Sequence, residues 1–421
     1  MTTKRDKMKK KVIAACSSGT FLEIYEFSLY GNFAALFSKI FFPDSLRYSL
    51  LYTLAIFSVG LVARPLGAFL FGHIGDRFGR TKALTFSILT MTIVTFCMGL
   101  MPTYENIGFL APFLLLFGRF LQGVSSGGEY TGAGIYLIET FPSKKGLAGS
   151  IVSSSGMFGT LVSMIISSIF LTMDSSDGWR FPFIVGGILG LGSLYIRLKL
   201  SESDEYKEVI AQKKIVENPI KKILRKYRPE LIKTIVVGGM NGVLTFIFVV
   251  YFTTHLNEFY GFKLSTLLAM NALAVAFFIF ASLWAGMLCN RRDPRGVLKV
   301  ISISISLLSI PLYYLLSSNS LSMALLSELI FALHAGAFSG ACNLYMYNQF
   351  KTPVRYTGVS LGYGIGTGIF GGLAPIVSAS LVEFTGNPVS PALYIIIAGL
   401  VTARICKSRS NVSTELEKKA A

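Results

Sequence analysis

The segment from residue 109 to residue 138 is apolar or small apart from a few polar side chains. It is long enough to cross a lipid bilayer, which takes about 20 helical residues. On a helix, its polar side chains share one face. They are Arg119, Gln122, Ser126 and Tyr130, with Glu129 at the edge. Since ionisable groups at this depth face protein or water, we expect this face to line a cavity. The alternative is that Arg119 only ties two helices together.

Twelve apolar segments can be marked along the chain. They are residues 13–41, 49–71, 83–102, 109–138, 147–173, 181–199, 231–255, 265–288, 297–317, 320–348, 357–383 and 390–406. The composition, 52% hydrophobic and 14% charged, excludes a soluble globular protein, in which about a quarter of residues are charged. The sequence predicts an all-α polytopic membrane protein with six spans in residues 1–200 and six in 231–408. A charged linker, 201–230, joins the halves, and a short tail, 409–421, follows them.

The distribution of the net charge of +17 predicts orientation rather than nucleic-acid binding. Most Lys and Arg residues lie at the termini and in alternate connections, which is the pattern of segments on the cytoplasmic side. The exceptions are Arg64 and Arg119 inside spans, and Lys39, Arg47, Arg180 and Lys263 in the other connections. We therefore expect a protein of the cytoplasmic (inner) membrane with both termini in the cytoplasm. The five cysteines have no metal-binding spacing, and we expect no metal site.

Two glutamates lie inside the first span. Glu23 is about 16 Å and Arg119 about 15 Å from the helix ends, which places both near the midplane. Glu23 and Glu26 share a face with Phe27 and Tyr30. Two carboxylates in a low-dielectric site cannot both ionise without a large cost, so one is expected to carry a proton at neutral pH. The alternative is that either glutamate forms a fixed ion pair with Arg119.

The connection after span 2 carries the most specific motif in the chain, Gly72-x-x-x-Asp76-Arg77-x-Gly79-Arg80. We expect a tight turn here, because glycine tolerates sharp reversals of the chain. Asp76 can face a helix N-terminus or a basic partner. The predicted gating residues are Gly72, Asp76, Arg77, Gly79, Arg80 and Lys82. Arg64, near the end of span 2, is expected to snorkel or to form a pair.

This connection resembles the signature loop of the major facilitator superfamily, and Arg119-x-x-Gln122-Gly123 resembles the superfamily's span 4 motif. Further motifs resemble the metabolite:proton symporter family, which includes proline/betaine and α-ketoglutarate carriers. They are Leu22-Glu23-x-x-Glu26-Phe27, Arg64-Pro65-Leu66-Gly67, Gly127-Gly128-Glu129-Tyr130, Trp179-Arg180-x-Pro182-Phe183 and Val354-Arg355-Tyr356. The resemblance implies two pseudo-symmetric six-helix bundles, alternating access, and symport of a small polar metabolite with a proton. It implies no cofactor besides the proton and function as a monomer.

The second half repeats the first weakly. Residues 286–295 stand in the place of 72–82, but Asn290 replaces the expected Asp, which puts a gating pair there in doubt. The candidate substrate-binding residues of this half are neutral: Asn241, Tyr251, His334, Asn343 and Tyr363. His334 could titrate near neutrality, although a lone buried histidine is more often a satisfied helix contact. The glycine-rich span 11 is expected to bend.

In the proposed coupling, one carboxylate of span 1 binds a proton, with Glu23 as the first candidate and Glu26 as the second, and Arg119 responds to the change of charge. Glu129 is a further candidate coupling residue. On this hypothesis, Glu23→Gln leaves counterflow exchange and abolishes uphill uptake. One arginine and several acids suit a zwitterion such as proline or glycine betaine, with its cation over aromatic rings. The predicted substrate residues of the first half are Tyr25, Phe27, Tyr30 and Gln122. A mono- or dicarboxylate anchored on Arg119 is the alternative. No catalytic motif suggests an enzyme, and a non-transporting sensor is the remaining alternative.

Overall fold

The structure, a computed structural model, describes residues 4–43, 45–46, 49–171 and 177–407. The predicted tail, 409–421, lies outside these residues. In the part described, every regular element is a helix. Eight helical segments are long and apolar enough to span a membrane. Four more complete the predicted twelve but are shorter or carry several charges: Lys4–Ile40, Leu110–Thr140, Arg180–Arg197 and Ala392–Lys407.

The twelve spans are numbered in chain order. Span 1 is Lys4–Ile40, span 2 Ser49–Val62 with Arg64–Arg77, span 3 Arg80–Gly99, span 4 Leu110–Thr140, span 5 Lys145–Leu171, span 6 Arg180–Arg197, span 7 Arg228–Phe246 with Ile247–Tyr251 and Phe252–Tyr260, span 8 Leu264–Cys289, span 9 Pro294–Leu316, span 10 Leu321–Tyr347, span 11 Thr352–Ile365 with Gly366–Gly371 and Ala374–Thr385, and span 12 Ala392–Lys407.

The predicted tight turn over residues 72–82 is wrong for most of its length. Span 2 remains helical to Arg77, and only Phe78 and Gly79 separate it from span 3. Gly79 has φ +118°, which disfavours other residues. Gly72 serves packing instead: a Cβ there would lie 2.8 Å from the Cα of Thr357 in span 11. The glycines of this motif therefore allow two helices to approach closely as well as the chain to reverse.

Spans 7 and 11 each contain a π-helical turn, at Ile247–Tyr251 and Gly366–Gly371. Such wide turns interrupt the regular ladder of backbone hydrogen bonds. In span 11 the interruption lies in the glycine-rich part, where the sequence predicts a bend. Both interruptions lie in the second half, in its first and its fifth span.

Two short helices lie in the linker. The first linker helix, Asp204–Ala211, begins at Ser203, whose side chain accepts from the Tyr206 N–H. The second linker helix, Pro219–Lys226, begins at Asn218. We call the end of the bundle that carries these helices and the turn at Phe78–Gly79 the linker end.

The first six and the last six spans meet along a seam. Span 2 packs against span 11, and span 5 packs against spans 8 and 10. Span 4 also reaches span 11. Side chains of spans 2, 4, 5, 10 and 11 can therefore respond to any movement of one half against the other. The division of the chain into domains at residues 201–230 stays a prediction.

Candidate functional site

Glu23 forms an ion pair with Arg64 of span 2, with 3.3 Å between Oε1 and Nη2. The alternative suggested from the sequence, a fixed ion pair with Arg119 of span 4, is therefore not what Glu23 forms. Both side chains of the observed pair are buried. This contact does not meet hydrogen-bond geometry. Among the described residues, neither Glu23 oxygen has a hydrogen-bond partner, and the Arg64 Nε has none either. The pair is electrostatic and loosely made.

Arg119 is fully buried among aromatic rings of spans 1 and 2. Its guanidinium carbon lies 4.3 Å from the ring centre of Phe27, 4.5 Å from that of Tyr30 and 5.2 Å from that of Phe57. Its Nη1 donates to Gln122 Oε1 at 2.9 Å. In the part of the chain that the structure describes, its Nε and Nη2 have no acceptor. Cation–π contacts stabilise this charge in place of an anion.

Glu26 is buried beside Arg119 without touching it. Neither of its oxygens has a hydrogen-bond partner among the described residues. It is nevertheless close enough to interact electrostatically with both Arg119 and Glu23. The Thr95 hydroxyl also lies beside it and accepts from Gln122 Nε2 at 2.9 Å. The Glu26 carboxyl group is therefore buried without an ion-pair partner among the described residues, with Arg119 and the Thr95 hydroxyl beside it.

Stacked tyrosines cross the seam next to the Glu23–Arg64 pair. The rings of Tyr130 in span 4 and Tyr363 in span 11 lie 4.9 Å apart and nearly parallel. Asn241 Nδ2 donates to the Tyr363 hydroxyl at 3.2 Å. Arg64 is close enough to Tyr363 to interact with it electrostatically. Residues from both halves therefore converge on the ion pair.

Asn343 of span 10 ties the second half to the first. Its Nδ2 lies 3.1 Å from the Tyr130 hydroxyl, 2.9 Å from the Gly149 carbonyl oxygen and 3.1 Å from Ser153 Oγ. Thr131 and Ser360 share a further hydrogen bond of 2.7 Å across the seam. These bonds join uncharged groups, which can be exchanged for others at modest cost when the halves move.

Glu129 is close enough to Glu23 to interact with it electrostatically, but it has a cation partner of its own. It forms a buried ion pair with Arg197, the last residue of span 6, through Nη1 and Nη2 of the guanidinium. Ser87 also donates to Glu129, and Arg197 donates to the carbonyl oxygens of Ala15 and Leu84. The sequence did not single out Arg197, whose position at the end of a span suggests an exposed residue. The pair joins spans 4 and 6, and its main-chain bonds reach spans 1 and 3.

Three predicted substrate residues form their hydrogen bonds away from the Glu23–Arg64 pair and Arg119. The Tyr25 hydroxyl donates to the Pro182 carbonyl oxygen of span 6 at 3.0 Å. His334 lies between Ile330, whose carbonyl oxygen accepts from Nδ1 at 2.8 Å, and Ser304, at 2.9 Å from Nε2. It is thus a satisfied helix contact.

The Tyr251 hydroxyl lies 3.3 Å from Nδ1 of His255, and this histidine is fully buried. His334 is therefore not the only histidine within the spans.

Asp76 joins the two halves at the linker end. Its carboxylate accepts from the N–H groups of Tyr356 and Thr357 in span 11 at 3.1 and 2.9 Å. It also accepts from Arg80 Nη1 at 2.8 Å, and Arg80 Nη2 donates to the Thr352 carbonyl oxygen at 2.8 Å. All of these atoms are buried or nearly so. Two other predicted gating residues, Arg77 and Lys82, are exposed.

Asn290 makes the corresponding contact in the second half. Its Oδ1 accepts from the N–H groups of Gly146 and Leu147, at the start of span 5, at 2.8 and 3.3 Å. An amide oxygen accepts hydrogen bonds as a carboxylate oxygen does. The replacement of Asp by Asn therefore removes a charge but keeps the contact between the halves.

The first linker helix adds a second set of contacts across the seam. Glu205 accepts from Arg355 at 2.7 Å and from the Tyr347 hydroxyl at 2.6 Å. Arg355 also pairs with Glu139 of span 4 at 3.1 Å. Burial acts to raise the pKa of Glu205, but Arg355, Tyr347 and Lys145 outweigh it and hold that pKa below its usual value. This network was not predicted, because contacts of a linker cannot be inferred from its charge pattern.

We expect the first linker helix to loosen in acid. A lowered pKa means that the stability from Glu205 is complete above the ordinary value of 4.5 and is lost as the pH falls through the lowered value. Hydrogen exchange of Asp204–Ala211, corrected for its intrinsic pH dependence, should show protection that falls in this range. Glu205→Gln should reduce protection already at pH 7, whereas Glu208→Gln, an exposed control, should not. Equal protection in all three proteins would contradict the role of Glu205.

Comparisons with known proteins agree with this architecture. A family model described as the Major Facilitator Superfamily matches residues 16–375. The proline/betaine transporter of Escherichia coli strain K12 is 31% identical over 421 residues, covering 96% of this chain and 84% of that protein. A putative proline/betaine transporter of Staphylococcus aureus strain COL is 31% identical over 398 residues, covering 92% and 85%.

Solved structures show the same fold at low sequence identity. The proton:xylose symporter XylE bound to 6-bromo-6-deoxy-D-glucose has a TM-score of 0.76 at 15% identity, covering 95% of each chain. XylE in a partially occluded inward open conformation has a TM-score of 0.70 at 15% identity, covering 94% of this chain and 97% of that one. The resemblance in sequence and the predicted twelve-helix fold are confirmed. This chain is a membrane transporter that belongs to the major facilitator superfamily, in the family that includes the proline/betaine transporters.

Proposed function

We propose that this transporter is a proton-coupled symporter that imports a small zwitterion such as proline or glycine betaine by alternating access. The loosely made Glu23–Arg64 pair, beside stacked tyrosines at the seam, carries this proposal. A zwitterion presents one cation and one carboxylate, so it can replace the internal pair, its cation at Glu23 and its carboxylate at Arg64. The names of the relatives from Escherichia coli and Staphylococcus aureus support the same substrate class.

The tyrosine pair supplies the aromatic surface for the cation. Phe27 and Tyr30, which the sequence suggested for this purpose, already hold the protein's own Arg119. Tyr25 is turned toward span 6. Tyr130 and Tyr363 lie at the seam instead, and a quaternary ammonium is attracted to such rings. The substrate would thus contact both halves, as alternating access requires.

Glu26 and Arg119 are assigned to proton coupling. Among the described residues, Glu26 has no cation in direct contact, whereas Glu23 is paired. The assignment therefore reverses the order that the sequence suggested. Loss of the proton from Glu26 would create a buried anion that attracts Arg119 out of its aromatic site. A change of protonation at Glu26 thereby changes the position of a charge in span 4.

The contacts at the linker end would hold the closed state of one side during the cycle. Asp76, Asn290 and Glu205 all join the halves there. We place the linker end and both termini in the cytoplasm, on the distribution of Lys and Arg. The structure then corresponds to a state closed toward the cytoplasm. Transport by a monomer, in the cytoplasmic membrane and without a catalytic step or a cofactor besides the proton, completes the proposal.

A mono- or dicarboxylate substrate is the second candidate. The unpaired Nε and Nη2 of Arg119 favour it, because a guanidinium binds a carboxylate in a bidentate manner. Uptake of labelled proline or of labelled α-ketoglutarate into liposomes under an imposed pH gradient, each with unlabelled glycine betaine or α-ketoglutarate as competitor, separates the two. We expect inhibition by betaine. Inhibition by α-ketoglutarate alone would favour the organic acid, and the absence of any uptake of either would contradict transport of this class.

Substitution of Tyr363 tests the aromatic site. Tyr363→Leu should raise the substrate KM about 30-fold, because a desolvated cation–π contact contributes about 2 kcal/mol. Tyr363→Phe keeps the ring and loses the hydrogen bond from Asn241, so its KM should rise only a few-fold. Initial rates of betaine uptake give both values. An equal rise in the two variants would assign the effect to the hydroxyl and not to the ring.

A further inference from the structure

A cleft of about 510 Å³ lies beside span 2 at the linker end, against the second linker helix. The mechanism above does not use it. Its apolar surface comes from Phe69, Ile220 and Leu224, and its charged or titratable groups are His73, Lys221 and Arg225. Every ionisable side chain that lines it is basic. The cleft therefore combines an apolar surface with a local positive charge.

The basic groups come mainly from the second linker helix, Pro219–Lys226, in which four of the eight residues are Lys or Arg. Lys221 and Arg225 are four positions apart and so lie on the same side of the helix. Both are exposed. Within the described residues, the structure pairs neither side chain with a carboxylate. Ile223, on the other side, is fully buried and anchors the helix to the bundle.

An apolar stripe on span 2 leads to the cleft. Val62, Leu66 and Phe69 are 71%, 57% and 52% exposed and succeed one another at helical spacing. His73 follows one turn later. In a membrane protein such exposed apolar side chains face the acyl chains of lipid. The stripe therefore runs from the hydrocarbon region toward the basic groups at the linker end.

We propose that this cleft binds an anionic phospholipid, with its headgroup phosphate on Lys221 and Arg225 and an acyl chain along Leu66 and Phe69. Basic residues next to a span attract anionic lipid headgroups. A soluble anion would use the two cations but not the stripe. A lipid with no net charge would use the stripe but gain less from the cations. Only a molecule with both parts matches the whole surface.

The position of the site implies an effect on transport. The second linker helix packs against span 2 of the first half and span 11 of the second half. A lipid held between span 2 and this helix would therefore favour the state in which the linker end is closed. This consequence rests on the proposed alternating access, but binding itself does not.

Native mass spectrometry of the purified full-length protein tests the binding. Phosphatidylglycerol and phosphatidylcholine of the same chain length would be titrated into the detergent-solubilised wild type. We expect phosphatidylglycerol to be retained at least about tenfold more tightly than phosphatidylcholine, because two surface cations attract its negative charge. Lys221→Gln with Arg225→Gln should reduce the preference to within about twofold. Lys213→Gln with Lys214→Gln removes the same charge from exposed linker positions and should leave the preference intact.

Two further measurements distinguish binding of a phospholipid from binding of a soluble phosphate. Soluble glycerol phosphate should not displace the bound phosphatidylglycerol, and Phe69→Ser should weaken lipid retention without affecting any binding of glycerol phosphate. Displacement by glycerol phosphate would mean an anion site and would overturn the proposal. An equal loss of preference in the two double variants would indicate a general charge effect and would also overturn the proposal. These readouts do not involve substrate, so they remain decisive if the proposed function is wrong.

Discussion

Glu129→Gln should destabilise the protein by about 3 to 5 kcal/mol, the usual effect of removing one partner of a buried ion pair. The substitution leaves the Arg197 guanidinium fully buried with a neutral amide in place of its carboxylate. Arginine cannot lose its proton to relieve this cost. Carbonyl oxygens of Ala15 and Leu84 remain as acceptors, but they carry no charge to compensate. Reversible unfolding in mixed micelles would give the free energy of unfolding.

Two further variants make this stability test specific. Lys207→Met breaks the exposed pair with Asp204 and should change stability by less than about 1 kcal/mol. Glu129→Met combined with Arg197→Met removes both buried charges and should restore most of the lost stability. A loss of under about 1 kcal/mol in Glu129→Gln would show that Glu129 is not the essential partner of Arg197 and would reopen its predicted role in proton coupling.

Glu26→Gln should abolish uphill uptake while leaving counterflow exchange. Glutamine mimics the protonated carboxyl, so substrate can still bind and the halves can still move, but no proton is released. Because accumulation depends on the proton gradient, we expect it to fall at least tenfold toward the equilibrium level. Proteoliposomes with an imposed pH gradient give uphill uptake, and the same vesicles loaded with unlabelled substrate give exchange.

Glu23→Gln provides the comparison for this experiment. We assign Glu23 to the substrate's cation, so its substitution should reduce uphill uptake and exchange together. This result differs from the expectation based on sequence alone, in which Glu23 carries the proton and exchange survives. If Glu23→Gln retained exchange and Glu26→Gln retained normal accumulation, the two roles would have to be reversed.

The fold could be predicted because each span leaves a long apolar segment in the sequence. All twelve segments correspond to helices of the structure, with ends that shift by a few residues at most connections. The largest differences are at span 1, which begins at Lys4, and at span 2, which continues to Arg77. Hydropathy marks where a helix leaves the bilayer and not where it stops. A helix that continues into water with charged residues therefore appears too short.

The burial of the candidate site residues was predicted better than their partners. Glu23, Glu26, Arg119 and Gln122 are buried together in the first half, as their helical spacing indicates. That Glu23 pairs with Arg64 and not with Arg119 depends on how the helices rotate and pack, which periodicity does not determine. Arg197 was missed for a related reason. A basic residue at a span end resembles a topology signal, whether or not a carboxylate of another span reaches it.

The second half gave a weaker signal because its contacts use neutral groups. Asn241, Asn343 and Tyr363 were predicted as site residues. In the structure Asn241 donates to Tyr363, and Asn343 donates to Tyr130 across the seam. The effect of Asn290 could not be foreseen, since its oxygen keeps the contact that an aspartate would make. Side chains without charge leave few constraints in a single sequence. Tyr130 lies on the predicted polar face of span 4, but its contacts across the seam with Tyr363 and Asn343 were not predicted.

The most direct test of the central claim, that substrate entry is coupled to a proton carried by Glu26, is a measurement of proton movement. Proteoliposomes containing a pH-sensitive dye would receive proline or glycine betaine in the absence of any imposed gradient, with valinomycin and potassium to balance charge. The wild type should acidify the vesicle interior as substrate enters, and Glu26→Gln should not. Acidification of equal rate and extent in Glu26→Gln, or substrate entry without acidification in the wild type, would contradict the account.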